Sequence, residues 1–381
     1  MNVSDSRGGR EKNLSPMLIL VALAGALMFS MPMTPYLEQG SDINLHIEYA
    51  RTIHQASDIV SPHFLFQILL IGIAQATGLD FERGTIFLMA ACYAGMAAII
   101  AQRIRNSASE SGVGVVFMVT LGVLVASHIF AQTFFKYNFL YGYIAPVVYH
   151  NPTQVLCKIL AVISIYAYFA LAFDSREDFY LKLMLPLSIV LSAIAKPSFL
   201  IAFLPCACLV ELIRVVRGSW RPALRNIVLI AGPAIVALAL QFRMTYEGTG
   251  SGLGFAPFKV YGGAIEVLTK LPASLLFPVA ALIVLAAAGK VSDKLKFSWF
   301  LYAVGMLISL CVIETGPRLM HGNFAWTGQA VTFILYVESA IALVAISWRK
   351  SILAWIAFAI HVIFGAIWFA TPYFMLVGTY W

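Results

Sequence analysis

Residues 61–105 read SPHFLFQILLIGIAQATGLDFERGTIFLMAACYAGMAAIIAQRIR, and the number of times this stretch crosses a membrane decides the fold of the whole chain. It holds two apolar runs, 63–76 and 84–101, and closes on Arg103-Ile104-Arg105. A hydrocarbon slab about 30 Å thick needs roughly 20 apolar residues per helix, and the first run is short of that. Counting it as a crossing would also put the arginines outside and invert every later link, against the tendency of Lys and Arg to stay cytoplasmic. The stretch 62–78 therefore reads as an amphipathic or half-inserted helix on the outer face, and 84–101 as the second crossing.

Working outward, similar apolar runs recur along all 381 residues; 61% are hydrophobic, 11% are charged, and mean hydropathy is +0.86. No soluble core uses so much apolar surface, so lipid is the solvent for most of the fold. With the amino terminus cytoplasmic, spans are expected at 16–35, 84–101, 113–131, 155–173, 180–195, 199–213, 227–242, 275–289, 297–313, 330–346 and 352–373, about eleven crossings in all. The basic links 176–182, 214–225, 290–296 and 349–350 then face the cytoplasm and residues 376–381 end outside. Arg7, Arg10 and Lys12 precede a long first run without an A-x-A site, which reads as an uncleaved span.

The expected fold class is all-α: one polytopic membrane domain over 1–381, with outer-face juxtamembrane helices. Residues 1–105 form an amino-terminal module with a first outer loop at 36–83. The remaining helices, 106–381, carry outer loops at 132–153, 243–272 and 314–329. A bacterial-type inner (plasma) membrane is the expected location. The excess of 25 basic over 18 acidic residues falls in short links, which argues against a nucleic-acid partner. Five cysteines without a Cys-x-x-Cys or Cys/His pattern argue against a disulfide framework or structural zinc.

The unusual polar chemistry gathers in the outer segments. In 36–62, Ser41 is placed to cap a helix beginning at Asp42, which puts Asp42 and His46 one turn apart with Tyr49 and Glu48 close by. A carboxylate beside an imidazole can take a proton from a hydroxyl or hold a divalent cation. Asp42 can equally favour the helix amino terminus while His46 sits at the interface, and spacing alone favours that plainer reading. A second cluster is Lys136-Tyr137-Asn138 with Tyr149-His150-Asn151-Pro152-Thr153. There Asn151 or Thr153 caps the next helix, and Lys158 either completes an anion site or reaches to the headgroups.

Lys196-Pro197-Ser198 breaks an apolar stretch at the outer edge, a costly place for a lysine unless it meets an anion. The glycine-rich 243–272, opening on Arg243, reads as a mobile lid, not a nucleotide fingerprint, because no strand is expected before it. The last loop sets Arg318, His321, Asn323 and Trp326 together, suited to a phosphate and a sugar ring, though Trp326 alone is as readily an interfacial anchor. Glu338 and His361 fall inside spans but each stands singly. The string of midplane charges, broken helices and matching halves of a proton-coupled transporter is not evident.

An acidic Asp42 in the pattern Asp-x-x-x-His, a short helix opening Ser61-Pro62-His63-Phe64-Leu65, and a second span ending Arg103-x-Arg105 together resemble the amino-terminal module of the GT-C superfamily of polyprenyl-phosphate-dependent membrane glycosyltransferases. The resemblance covers about the first 105 residues at motif level. It implies that the short helix lies along the membrane and that Asp42 is the catalytic base or a metal ligand. It further implies transfer of a sugar from a polyprenyl-phosphate donor to a glycan, lipid or protein acceptor on the outer face. This chain has one acidic residue where many relatives have two, Ser61-Pro62-His63 in place of a proline pair, and no carboxy-terminal soluble domain.

The expected mechanism is inverting displacement, with Asp42 as base and Lys136, Lys158, Lys196, Arg243 and Arg318 holding the leaving phosphate. His46, Glu48, His63, His150 and His321 are acceptor or metal candidates, the metal being Mg or Mn; Tyr149, Asn151, Asn323 and Trp326 are sugar contacts. A polysaccharide polymerase or ligase using lipid-diphosphate donors, and a non-enzymatic carrier or flippase of lipid-linked glycans, are the alternatives.

Overall fold

The computed structural model describes residues 5–130 and 144–374 and is 78% helical. Helices α1 (Asp5–Ser30), α2 (Met33–Gln39), α3 (Asp42–Thr52), α4 (Leu65–Thr77), α5 (Phe81–Ser107) and α6 (Val113–Val125) precede residues 131–143. After them come α7 (Pro152–Ala172), α8 (Phe179–Ala195), α9 (Ser198–Val216), α10 (Trp220–Tyr246), α11 (Ala264–Ala287), α12 (Asp293–Cys311), α13 (Ala325–Val344) and α14 (Trp348–Ala370). Among the described residues nine helices are long and apolar enough to cross a membrane. Local chemistry starts several of them. Ser41 and Asn44 form a reciprocal capping box on α3, Asp80 accepts from Arg83 N at 2.7 Å to open α5, and Ser292 accepts from Leu295 N at 3.2 Å to open α12.

Two of the expected crossings differ. Helix α8 has 17 residues, at the short limit of a span, and the helix expected over 113–131 stops at Val125 after 13 residues, about 20 Å. Beyond it the chain runs extended inside the bundle, where Ser127 N donates to His361 O and Ile129 N to Ala273 O, each at 3.0 Å. Ala126, Ser127, His128 and Phe130 are buried, so this backbone is shielded by protein, the condition under which non-helical chain is tolerated at such depth. The helix thus ends earlier than the apolar pattern implied. Gly365 on α14 makes room for the extended chain: a Cβ there would lie 1.9 Å from the Val125 carbonyl oxygen. Gly365→Ala is expected to destabilise the protein by about 1–3 kcal/mol, read as a lowered thermal unfolding midpoint in detergent.

The expectation of isolated midplane groups also needs correction. Glu338 on α13 receives both terminal nitrogens of Arg103 from α5, and both side chains are buried. His361 bonds Tyr336 Oη at 2.9 Å and the Ser127 carbonyl at 2.6 Å.

The fold is not purely helical. Residues Gly252–Phe255 (β1) pair antiparallel with Val312–Thr315 (β2), Gly252 opposite Thr315 and Phe255 opposite Val312. The glycine-rich stretch read as a mobile lid is therefore partly a strand. Its glycines permit close approach: a Cβ on Gly254 would stand 2.9 Å from Thr315 Cγ2, and one on Gly316, at φ +66°, would stand 2.4 Å from the Gly250 carbonyl oxygen. The segment expected as outer loop 243–272 is shorter than supposed, since α10 continues to Tyr246 and α11 begins at Ala264.

Candidate functional site

One end of the bundle collects the amino termini of α3, α7, α9 and α13 with the two-stranded sheet. Asn151 is the joint between two of these elements. Its Oδ1 accepts from Gln154 N at 3.0 Å, capping α7, while its Nδ2 donates to Asp42 Oδ2 at 2.7 Å. Asp42, at the first position of α3, keeps 44% of its side chain exposed and lies 4.0 Å from His150 Nε2. Burial, with Lys196 and Lys158 adding to it, pushes the His150 pKa well below its ordinary value, so His150 is neutral at pH 7 and the contact is not an ion pair.

Lys196 sits in the turn between α8 and α9 and is 5% exposed. Its Nζ stands 4.1 Å from the centre of the Trp326 ring, which also packs against His150 at 5.7 Å. Burial lowers the Lys196 pKa to about 8 and Asp42 opposes that shift, so the ammonium persists at pH 7. Among the described residues no carboxylate reaches salt-bridge distance of it. His46 and His63 are both depressed to about 3, by burial first and by Lys196 second. All three imidazoles near the lysine are neutral and add no positive charge beside it.

On its other side Lys196 lines a cavity of about 230 Å³ with His63, Gln241, Glu314, Arg318 and Asn323. The remaining wall is mostly apolar, with Ile201, Leu238, Phe242, Leu253 and Phe324 among its residues. Glu314 on β2, 3% exposed, accepts from Arg318 Nε at 2.7 Å, Asn323 Nδ2 at 2.6 Å and Tyr246 Oη at 3.1 Å. Among the described residues only Nε of Arg318 is engaged, so its terminal nitrogens keep donors to spare. Gln241 donates to the Pro62 carbonyl, tying α10 to the segment before α4.

Several expected site residues stand elsewhere. Arg243 is exposed and paired with Glu247 at 2.5 Å; it does not line the cavity, because the last turn of α10 points it outward. Glu48 pairs with the exposed Arg51 at 2.5 Å, and His321 is exposed without lining the cavity. His46 turns from Asp42 toward Gln67, whose amide oxygen accepts from Nδ1 at 3.0 Å while its nitrogen donates to the His63 carbonyl at 2.9 Å. Tyr149 is fully buried against Phe29 and Phe369, so it presents no ring face to a sugar. Lys158 is 2% exposed with its Nζ over the Phe333 ring at 5.4 Å, inside the bundle and not at its boundary. Lys136 lies outside the described residues.

Glu314 and Gln67 did not figure in the sequence reading. The spacing of Glu314 four residues before Arg318, in a loop already singled out, was a usable signal for the first. Among the described residues no three of His, Cys, Asp and Glu converge closely enough to hold a metal ion, and the donors around Asp42 do not fit one. No protein-family model matches the chain, and neither does any curated protein sequence.

Proposed function

We propose that the protein is a membrane glycosyltransferase of GT-C type, moving a sugar from a polyprenyl-phosphate donor to an acceptor on the extracytoplasmic face. The observation that carries this reading is the position of Lys196, a buried ammonium with a half-exposed carboxylate on one side and an apolar-walled cavity on the other. Such a cavity suits a lipid with an anionic head. The orientation rests on charge: Arg105, Arg176, Arg217, Arg221, Lys290 and Lys350 crowd the opposite end, which the positive-inside tendency makes cytoplasmic.

In this mechanism Asp42 takes the proton from the acceptor hydroxyl as its oxygen bonds to the anomeric carbon. The bond from that carbon to the donor phosphate oxygen breaks, and the phosphate leaves with its electron pair and negative charge. Lys196 and the free nitrogens of Arg318 hold that charge in a region poor in water, where a fixed cation counts for more. Glu314 orients Arg318 and Asn323. Arg243 takes no part, and no step runs through a metal.

Protonation sets a pH limit. Lys196 binds an anion only when charged, and with a pKa near 8 its charge is lost as pH rises through that value. Donor kcat/KM is therefore expected to fall on the alkaline side of about 8, and Lys196→Arg to move that limb upward. A profile flat to pH 10 in the unmodified protein would contradict the assignment.

The extended segment 126–130 gives the carrier reading one observation of its own, since unwound segments line the pathways of transporters. Sugar transfer by purified protein separates the two readings. Activity with lipid-diphosphate donors alone would favour the polymerase or ligase.

A further inference from the structure

The end of the bundle opposite Lys196 holds a larger cavity, of about 540 Å³, between α5, α7, α12 and α13. That volume falls in the range of small-molecule sites. Its floor is the Arg103–Glu338 pair, with the Arg103 guanidinium 5.6 Å from the Phe169 ring centre. Arg176, Lys290 and Lys294 stand at the rim with Asp174 and Asp293, so the lining has four cationic side chains against three carboxylates. Asn106, Ser107, Ser292 and Tyr166 add neutral hydrogen-bonding groups.

The positive-inside tendency accounts for basic residues at this rim. It does not account for a buried guanidinium and carboxylate at the bottom of an open cavity, because removing both charges from water costs more than an apolar pair would. A cavity that admits a polar ligand keeps such a pair in use. The rim is only partly neutralised: Lys294 is held by Asp174 at 2.7 Å and Arg176 by Asp178 at 2.7 Å, whereas Lys290 has no ion-pair partner among the described residues.

We propose that this cavity binds a phosphate-bearing ligand, gripped by Lys290 and Arg176 above the Arg103–Glu338 floor. The phosphate can belong to a soluble ester or to a lipid headgroup, and the chemistry of recognition is shared. This proposal is independent of the transfer reaction assigned to the other end.

The test uses the full chain in nanodiscs, titrated calorimetrically with inorganic pyrophosphate, and in parallel native mass spectrometry of retained phosphatidic acid. Lys290→Gln, at an exposed position where folding is not at stake, is expected to weaken whichever of the two binds by about tenfold, the scale of one charge-assisted hydrogen bond. Arg243→Gln, at an exposed position at the other end of the bundle, should leave it unchanged. Pyrophosphate binding lost in Lys290→Gln indicates a soluble ester, and phosphatidic acid retention lost in the same variant indicates a headgroup. Absence of both, indifference to Lys290→Gln, or an equal loss in Arg243→Gln would overturn the proposal.

Discussion

Asp42→Asn is expected to lower sugar transfer by about 10²–10⁴-fold, the range of a general base, while the protein remains folded. The substitution is isosteric, and an asparagine oxygen still accepts the hydrogen bond that Asn151 Nδ2 gives at 2.7 Å. The capping box of α3 is made by Ser41 and Asn44, so the helix start does not depend on the charge. Among the described residues no other exposed carboxylate or imidazole is placed beside Asp42 to take over the proton. His150 is held neutral by burial but lies on the inner side, 4% exposed, while Glu314 is occupied by Arg318, Asn323 and Tyr246. Transfer measured in membranes with a radiolabelled polyprenyl-phosphate sugar reads the effect, and activity near that of the unmodified protein would remove Asp42 from the reaction.

Glu338→Ala is expected to cost about 3–5 kcal/mol of stability, because it leaves the Arg103 guanidinium buried and uncompensated. The two side chains are 8% and 4% exposed, and both terminal nitrogens of the arginine are directed at the carboxylate. Replacing both groups, Arg103→Met with Glu338→Leu, should recover most of the loss, since an apolar pair of similar volume bears no desolvation cost. Thermal unfolding in detergent checks both, and a single variant as stable as the parent would mean that water already screens the pair.

What could be read from the sequence was what neighbouring residues decide together. The cap at Ser41, the start of α7 at Asn151 and the shortness of α4 each depend on a few consecutive residues, and apolar run length marks most of the long helices. What escaped depends on partners far along the chain. Arg103 and Glu338 are 235 positions apart, so one looked like a link arginine and the other like an isolated acid. Helical spacing put Asp42 and His46 on one face, but Asn151 at the start of α7 holds the first and Gln67 on α4 the second. The glycines of 248–254 serve a flexible loop and a tightly paired strand equally well until β2, some sixty residues later, is seen beside them. Apolar composition also could not mark where α6 ends, because extended chain packed against α11 and α14 needs the same apolar side chains as a helix facing lipid.

The central claim is that Lys196 receives the phosphate of a lipid-linked sugar. Cryo-electron microscopy of the protein with a polyprenyl-phosphate sugar tests it most directly. The expected map has phosphate within hydrogen-bonding distance of Lys196 Nζ, a lipid tail leaving past Ile201 and Leu238, and the sugar turned toward Asp42. Phosphate density at the opposite cavity alone, or a headgroup bound away from Lys196, would contradict it.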